Sequence, residues 1–520
     1  MPELCLKASQ RYGKKLCFQV YGDGGFYNRI SYEDLGNMVK RFAAMLKRLG
    51  VKQGDRVMIL AENRPEWPIA YFGTALAGGI TVPVLTDFVP EQVGAIASHA
   101  EISALCYTER TVSKITEIDP SIPSVRLDLL SRDLFDKGAE SVDTIDELVA
   151  ISEDAPASII YTSGTTGGSK GVLLSHKNLV FIALSSRSIM KIYPRDRVLS
   201  LIPLAHTYEC SIGMIFPLMS GASVTYLDKP PSPTVLLPAL KTLRPTAMLT
   251  VPLFIEKICR NRIFPSLEKN ALYRFPLTRP LAILAAGQKL MSALGSSLRV
   301  FGIGGAPLAE NVERFLRKAR FPYNPGYGLT ETAPLISGAA PFKFPFRSVG
   351  RVINGTQVRI SSEGEIQFRG PNVMLGYYRD EERTRKAFTG DGWFKTGDLG
   401  CVDKKGCLYI RGRIKALILG PSGENIYPEE IENMLHASML VEEALVVPGK
   451  RGELVALIVL SEKAQTVLTA LEESLEGLKN TVNKKLAAFS RLSRIEVRNE
   501  PFEKTPTQKI KRFLYSPTPI

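Results

Sequence analysis

The sequence predicts an α/β fold, in which a large N-terminal domain of mostly parallel sheets flanked by helices carries a β-rich subdomain and precedes a small α+β C-terminal domain. Three observations predict it. Short β-branched runs alternate with helix-like stretches from residue 56 onward, short strands and turns take over after residue 345, and the pattern changes again after "GRIK" at Gly412 to Lys415. With 520 residues, 45% of them hydrophobic, the chain is long enough to bury more than one core.

The alternation begins with "RVMILA", a helix from about Pro65, "ITVPVL", a helix from about Pro90, and "ALCYTE". This order is typical of βαβ units with parallel strands. The pattern then recurs, with helical stretches such as Leu236 to Leu243 between the strands. The predicted strands of this second region are "ASIIYTS", "VLSLIP", "ASVTYL", "TAMLTVP" and "LRVFGIGGA".

The remaining elements belong to the β-rich subdomain and the small domain. "GEIQFRG", "GWFKTGDLG" and "GCLYIRGR" are predicted strands separated by turns. Beyond them we predict strands at "EALVVP", "LVALIVL" and "SRIEVRN" and helices around Pro428 and Leu471, with the "EEIE" run from Glu429 on a solvated helix face. The predicted domains are residues 1–414 and 415–520.

Composition points to a cytoplasmic globular protein. The seven cysteines are scattered without C-x-x-C pairs, which favours reduced thiols over a metal site, and the N-terminus lacks an apolar segment of the secretory type. Two uncharged runs, 67–86 and 210–227, contain proline and glycine, so we expect each to form a buried helix followed by a buried strand rather than a membrane span.

The formal net charge of +14 favours anionic partners, which include nucleotides, acidic proteins and an anionic membrane surface. Ten Lys/Arg stand against three Glu between Lys479 and Arg512, so the excess is concentrated near the C-terminus. Nucleic acid is the weaker reading because no recognised binding motif accompanies the charge. A solvated basic face explains the same residues.

The stretch "YTSGTTGGSKG", Tyr161 to Gly171, is rich in glycine and hydroxyl groups and contains one lysine, Lys170. Glycines let consecutive N–H groups converge on one anion, so the stretch suggests a phosphate-binding loop. It is not a Walker A loop, because Ser169 and Gly171 stand where that motif requires glycine and a hydroxyl. On composition alone, a flexible connector explains the stretch equally well.

Three further polar motifs follow predicted strands. They are His206 after "LSLIP", Gly304 to Ala306 after "RVFGI", and "GYGLTET" at Gly326 to Thr332. Ligands of open α/β sheets bind beyond the carboxyl ends of the strands, so we expect these motifs and the glycine-rich stretch to form one site.

Five motifs resemble, in order and spacing, those of the adenylate-forming superfamily of acyl-CoA synthetases, luciferases and peptide-synthetase adenylation domains. They are "YTSGTTGGSKG", "GYGLTET", "TGD" at Thr396 to Asp398, "GRIK" and "KTPTQKIKR". The segments "VPLFIEKI", "GGAPLAE", "GPSGENIYPEEIE" and "TPTQKIKR" are similar to the branch of long-chain fatty acyl-CoA or acyl-carrier-protein synthetases. The resemblance covers essentially the whole chain.

The resemblance implies ATP- and Mg²⁺-dependent conversion of a fatty acid to acyl-AMP with release of pyrophosphate, then transfer to CoA. It implies that the glycine-rich stretch holds the β- and γ-phosphates, through Thr162, Ser163, Gly164, Thr165, Thr166, Gly167 and Lys170. It also implies an adenine site at Gly304, Gly305, Ala306, Tyr327 and Gly328, an α-phosphate contact at Thr330, a Mg²⁺ ligand at Glu331, and a ribose acceptor at Asp398 with Arg413 nearby.

By the same resemblance, Lys509 is the catalytic lysine that bridges the substrate carboxylate and the α-phosphate, although Gln508 precedes it where many members have glycine. Lys415 matches the hinge between the domains, and Gly423 belongs to the face presented to the thiol. His206 matches a position beside the acyl site, but a structural histidine is an equal alternative.

Several partners stay open at this level. Apolar residues at 208–216 and 251–258 suit an acyl tunnel and also suit core packing. An acyl carrier protein is the alternative acceptor, since carrier proteins are acidic and the C-terminal face is basic. Peripheral contact with an anionic membrane is a hypothesis, and a non-catalytic nucleotide-binding relative is the remote alternative; no nucleic acid is expected.

Overall fold

A computed structural model describes residues 1–130, 151–163, 169–419, 424–449, 453–461, 464, 471–504 and 510–515. In chain order its strands are β1 Leu16–Gly22, β2 Gly25–Ser31, β3 Arg56–Leu60, β4 Ile80–Val84, β5 Ile102–Tyr107, β6 Ser124–Arg126, β7 Pro156–Ser163, β8 Ser169–Ser175, β9 Arg197–Leu199, β10 Ser223–Leu227, β11 Ala247–Thr250, β12 Val300–Ile303, β13 Asn324–Tyr327, β14 Ser337–Gly338, β15 Arg351–Val352, β16 Gln357–Ile360, β17 Glu365–Arg369, β18 Gly376–Tyr377, β19 Phe394–Val402, β20 Leu408–Arg413, β21 Ile418–Leu419, β22 Asn425–Ile426, β23 Val441–Pro448, β24 Leu454–Leu460 and β25 Leu492–Arg498.

The α-helices alternate with these strands over most of the chain. They are α1 Pro2–Tyr12, α2 Tyr32–Arg48, α3 Glu66–Leu76, α4 Pro90–Ala100, α5 His176–Ser185, α6 Phe216–Met219, α7 Pro233–Leu243, α8 Pro252–Ile258, α9 Phe264–Glu268, α10 Ala271–Arg274, α11 Arg279–Ala293, α12 Glu310–Lys318, α13 Glu381–Ala387, α14 Pro428–His436 and α15 Leu471–Asn483. Two π-helical turns, Tyr208–Ile215 and Cys259–Ile263, continue directly into α6 and α9.

Two large sheets form the centre of the described chain. One has the order β18-β8-β7-β4-β3-β5-β6, and the other has the order β15-β14-β13-β12-β11-β9-β10-β1-β2. Their central strands are parallel, as in the pairs β3–β4, β3–β5 and β11–β12, which confirms the predicted mostly parallel sheets. The antiparallel pairs β1–β2 and β7–β8 lie nearer the edges, and β7 and β8 contain the two ends of the glycine-rich stretch.

One core connects the two sheets. Phe18 of β1, Ile59 of β3 and Ile160 of β7 belong to it together with Phe42 of α2 and Trp67 of α3, all of them buried. A second core covers the nine-stranded sheet and packs against α7, α8, α11 and α12. The predicted buried helix and strand of each uncharged run are confirmed, since α3 leads to β4 and the turn at 208–215 leads through α6 to β10.

The later elements also match their predictions. The β-rich subdomain contains an antiparallel sheet of order β16-β17-β19-β20, and the small domain packs α14 and α15 on a sheet of order β23-β24-β25. The prediction of a solvated "EEIE" face is wrong for Glu432. That carboxylate is buried, accepts two hydrogen bonds from Arg512 Nη2 at 2.7 and 2.8 Å, and accepts another from the Val446 N–H at 2.7 Å.

Hydrogen bonds connect α5 with the segment that precedes β18. The Ser175 hydroxyl caps α5 by accepting a hydrogen bond from the Asn178 N–H at 3.1 Å. The Asn178 side chain donates to the carbonyls of Pro371 and Val373 at 2.7 and 3.0 Å. The cap of a helix beside the seven-stranded sheet therefore also fixes the segment before β18.

All seven cysteines are described and free, as predicted from their spacing. Within the described ranges, every helix is too short or too polar to cross a bilayer.

Candidate functional site

The centre of the candidate site is a cluster of Lys170, Glu331 and Tyr377. Lys170 lies at the start of β8, Glu331 lies in the 3-10 turn Thr330–Thr332 that follows β13, and Tyr377 lies on β18. Lys170 Nζ forms an ion pair with Glu331 Oε1 and donates a hydrogen bond to the Tyr377 hydroxyl at 3.0 Å. The same hydroxyl donates to Glu331 Oε1 at 2.9 Å. Residues from both large sheets thus meet at one carboxylate.

Glu331 is held in its ionised form although it is only 6% exposed. Burial raises the pKa of its carboxyl group, but the charge of Lys170 and hydrogen bonds from Lys170 and Tyr377 outweigh burial, so the pKa lies below its ordinary value. Burial and the neighbouring carboxylate raise the pKa of Tyr377, so its hydroxyl stays a donor. The cluster offers a buried anion next to a cation.

The turn that carries Glu331 depends on glycine at position 328. A Cβ on Gly328 would lie 1.7 Å from the Pro334 carbonyl oxygen, which no side chain can tolerate. Asn372 closes the turn by donating to the carbonyls of Thr332 and Leu335 at 2.7 and 2.9 Å. Gly328 is therefore required for the shape of the loop.

A second polar cluster joins Tyr327, Asp398 and Arg413. The register of β19 and β20 places Asp398 opposite Arg413, and Arg413 Nε lies 3.1 Å from Asp398 Oδ1. The Tyr327 hydroxyl donates to Asp398 Oδ2 at 2.7 Å. Burial and the Asp398 charge raise the pKa of Tyr327. Each oxygen of this buried carboxylate therefore has its own partner, Arg413 at Oδ1 and Tyr327 at Oδ2.

The loop after β12 forms the third part of the site. Gly305 has a φ of 88°, and a Cβ on it would meet Val251 Cγ1 at 3.9 Å. A Cβ on Gly304 would meet the Tyr208 ring at 3.4 Å, so the backbone of this loop passes close to that ring. The predicted adenine loop thus lies beside the start of the turn at 208–215 and the start of α8.

His206 lies just before the turn at 208–215, and Glu209 lies within it. His206 is half-buried and anchors the turn through its carbonyl, which accepts a hydrogen bond from the Cys210 N–H at 2.9 Å. Glu209 was not predicted and is only 1% exposed. Its Oε1 accepts a hydrogen bond from the Ser200 hydroxyl at 2.5 Å, and burial raises its pKa to about 8. A lone glutamate in an apolar stretch was the available signal in the sequence.

Some predicted residues do not join these clusters. Lys415 lies exposed on the 3-10 turn Ile414–Ala416, as a residue between two domains can be. Within the glycine-rich stretch, Thr162 Oγ1 is buried and has no hydrogen-bond partner among the described residues. The remaining predicted positions lie outside the described residues or outside the described side chains: Ser163, Gly164, Thr165, Thr166, Gly167, Gly423 and Lys509.

Glu331 is suited to hold Mg²⁺ only together with ligands from a bound polyphosphate. Within the described part of the chain, no group of three or more His, Cys, Asp or Glu side chains is placed to hold a metal ion. Mg²⁺ is commonly held by one or two carboxylates together with substrate phosphates. The ionised Glu331 supplies one such carboxylate, so these residues fit a metal that arrives with a polyphosphate.

The small domain contacts the large one through donors that the sequence did not reveal. Arg260 Nη1 donates to the Val441 carbonyl at 3.1 Å, and its Nη2 donates to the His436 carbonyl at 2.5 Å. Asn311 Nδ2 donates to the Ala437 carbonyl at 3.0 Å. Cations and amide donors are favourable at the C-terminal end of a helix, here the end of α14.

Comparison with known proteins identifies a matching family and similar enzymes. A model of the AMP-binding enzyme family matches residues 6–378, and a model of the AMP-binding enzyme C-terminal domain matches residues 416–515. The chain is 33% identical over 476 residues to the long-chain-fatty-acid–CoA ligase FadD15 of Mycobacterium bovis, covering 85% of this chain and 78% of that protein. It is 28% identical over 484 residues to the long-chain-fatty-acid–CoA ligase ACSBG1 of Rattus norvegicus, covering 84% and 67%.

Solved structures show the same fold. ATP-bound MatB from Rhodopseudomonas palustris superposes with a TM-score of 0.80 at 25% identity, over 99% of this chain and 98% of that one. O-succinylbenzoate coenzyme A synthetase (MenE) from Bacillus subtilis, in complex with AMP, gives a TM-score of 0.79 at 26% identity, with the same coverage. The predicted fold class is confirmed.

Proposed function

The chain belongs to the AMP-binding enzyme family, and on that premise we propose that it is an ATP-dependent ligase that converts a fatty acid to acyl-AMP and then to acyl-CoA. The observation that carries the proposal is the pairing of Glu331 with Lys170 beside the Tyr327–Asp398–Arg413 cluster. A metal-binding carboxylate, a phosphate-binding cation and a hydroxyl-binding carboxylate are the groups that Mg²⁺-ATP needs. The relatives are named long-chain-fatty-acid–CoA ligases, which supports a fatty acid as the acid substrate and CoA as the thiol acceptor.

In this proposal the described residues have separate tasks. Lys170 binds the β- and γ-phosphates with the glycine-rich stretch, and Glu331 ligates Mg²⁺ together with those phosphates. Asp398, oriented by Arg413 at Oδ1 and Tyr327 at Oδ2, accepts hydrogen bonds from the ribose hydroxyls. The loop at 304–306 borders the adenine. Magnesium, when bound, offsets phosphate charge as pyrophosphate leaves.

Lys509 is proposed to neutralise the substrate carboxylate and the α-phosphate, two anions that must approach each other for adenylation. We expect Lys509→Ala to lower ATP–pyrophosphate exchange at least about a hundredfold, the scale of losing one transition-state stabiliser. Thioester formation from supplied acyl-AMP should survive. Lys511→Ala, two residues away, is the matched control. An equal fall in both half-reactions would show that Lys509 has a different role.

Lys415 is proposed as the hinge about which the small domain turns between the half-reactions, with Gly423 on the face that then meets the thiol. Lys415→Pro should spare adenylation and abolish thioester formation. A panel of carboxylic acids of graded length, assayed by ATP–pyrophosphate exchange, tests the acid class. The proposal fails if no acid supports exchange.

An acyl carrier protein is the second candidate acceptor, favoured by the basic segment between Lys479 and Arg512. Parallel thioester assays with CoA and with a carrier protein decide between them. We also propose peripheral contact with an anionic membrane, from which a fatty acid would be taken.

A further inference from the structure

Four large apolar side chains lie exposed within ten residues of the chain. The exposed fractions are 52% for Leu272, 64% for Phe275, 94% for Leu277 and 62% for Leu281, and Leu277 is the most exposed large hydrophobic residue among those described. Single exposed apolar residues need no explanation, but a cluster of this kind marks an interaction surface. We define these four residues, with Arg274 and Arg279, as the 272–281 patch.

The patch is held in place by a closed turn between α10 and α11. The Thr278 hydroxyl donates to the Leu272 carbonyl at 2.6 Å, and the Arg279 N–H donates to the Phe275 carbonyl at 2.9 Å. Arg279 Nε also donates to the Tyr273 carbonyl at 2.9 Å. The inner face of α11 is anchored in the second core through Ala282, Ile283, Ala286 and Leu290. The apolar side chains are therefore presented outward by a fixed backbone.

Basic residues flank these side chains along the sequence after Glu268. From Lys269 to Lys289 the chain contains four basic residues, Lys269, Arg274, Arg279 and Lys289, and no acidic one. All four are exposed. Apolar residues framed by Lys and Arg suit the boundary between lipid headgroups and acyl chains, where each cation gains from anionic headgroups.

We propose that the protein docks on an anionic lipid bilayer through the 272–281 patch. The inference rests on the membrane contact in the proposed function and assigns it to a surface other than the basic segment near the C-terminus. A second copy of the chain fits the patch poorly, because a two-fold contact would bring Arg274 and Arg279 of both copies together without acidic partners.

The patch also connects with the nucleotide end of the site along one helical run. This run starts after Val251, which lies beside the loop at Gly305, and passes through α8, the turn Cys259–Ile263 and α9. The 17 residues from Pro252 to Glu268 span about 25 Å at the rise of a helix. Docking would place the bilayer at the end of the helical run whose first part, residues 251–258, was predicted to suit an acyl tunnel.

Vesicle co-sedimentation tests the docking without relying on catalysis. We expect the full-length protein to bind vesicles of phosphatidylcholine with phosphatidylglycerol, to bind pure phosphatidylcholine vesicles less, and to be released by salt. The double variant Phe275→Ser/Leu277→Ser should lose binding to the anionic vesicles at least about tenfold, and Arg274→Gln/Arg279→Gln should lose most of the salt-sensitive part.

Two matched controls locate the surface. Leu184→Ser removes another exposed apolar side chain, and Lys484→Gln/Lys485→Gln removes charge from the C-terminal basic segment. Both should bind as the parent protein does. The inference is overturned if the patch variants bind normally, if the C-terminal variant alone loses binding, or if ultracentrifugation shows a dimer that Leu277→Ser abolishes.

Exchange of ATP with pyrophosphate in the presence of a short, water-soluble acid should be unchanged in the patch variants, which shows that they are folded. Vesicle binding without exchange for any acid would leave the docking intact and reject the proposed function. Exchange without vesicle binding would leave the proposed ligase function intact and reject the docking.

Discussion

Replacing Glu209 by glutamine should make the large domain more stable at alkaline pH while leaving adenylation at neutral pH unchanged. Burial raises the pKa of Glu209 to about 8, above its ordinary value of 4.5, and the hydrogen bond from Ser200 only partly offsets burial. Glu209 Oε2 is buried and has no hydrogen-bond partner among the described residues. The folded protein therefore keeps this carboxyl group protonated where the unfolded chain has lost the proton.

The size of the effect follows from the two pKa values. Because the folded-state pKa is the higher one, the stability contributed by the neutral carboxyl group is fully present below pH 4.5 and is lost as the pH rises through about 8. The slope is about 1.4 kcal/mol per pH unit for one proton. Between pH 6 and pH 9 the parent protein should lose on the order of 3 kcal/mol that Glu209→Gln does not lose.

Urea unfolding followed by tryptophan emission measures this difference. The two tryptophans, Trp67 and Trp393, both lie in the large domain, and Trp67 stacks on Tyr71 within the same core. The exposed carboxylate variant Glu500→Gln should follow the parent protein at every pH. Parallel stability curves for Glu209→Gln and the parent protein from pH 6 to pH 9 would refute the assignment of a neutral buried carboxyl group.

Three further predictions concern the site and the contact between the domains. Gly328→Ala should lower adenylation about a hundredfold, because its Cβ collides with the Pro334 carbonyl and moves the turn. Gly477→Ala, whose Cβ would meet no atom within 4 Å, should leave adenylation unchanged, and ATP–pyrophosphate exchange of both variants measures the difference. Asp398→Asn should raise the KM for ATP about tenfold, since a charged acceptor becomes neutral, and an unchanged KM would remove it from the ribose site. Arg260→Ala should speed proteolysis between the domains several-fold, since two hydrogen bonds to the small domain are lost, with partial rescue by Arg260→Lys; equal digestion rates would exclude such a role.

Local patterns predicted the parallel strands well because such strands are buried on both faces and read as short apolar runs. Ile59 of β3 and Ile160 of β7 lie in such runs and are buried. Motif order predicted that Lys170 and Glu331 belong to one site, and these two residues form an ion pair. Each apolar run and each motif occupies only a few neighbouring residues, so both can be recognised locally.

Long-range pairings were invisible to the same reasoning. Glu432 looks like one of several solvated glutamates, and it is buried because Arg512, 80 residues later, supplies the opposing charge. Tyr377 reaches Glu331 only because β18 pairs with β8, which places Tyr377 opposite Val172. No local pattern in the sequence announces either contact.

The pairing of sheets also explains why the segment before β18 matters to the site. Lys170 comes from the seven-stranded sheet, while Glu331 follows a strand of the nine-stranded sheet. Residues 371–374 bond to both sides: Asn178 of α5 donates to the Pro371 carbonyl, and the Met374 N–H donates to the Glu331 carbonyl at 2.9 Å. A shift of one sheet against the other would have to break these hydrogen bonds. These contacts therefore help to fix the distance between the proposed phosphate cation and the proposed metal ligand.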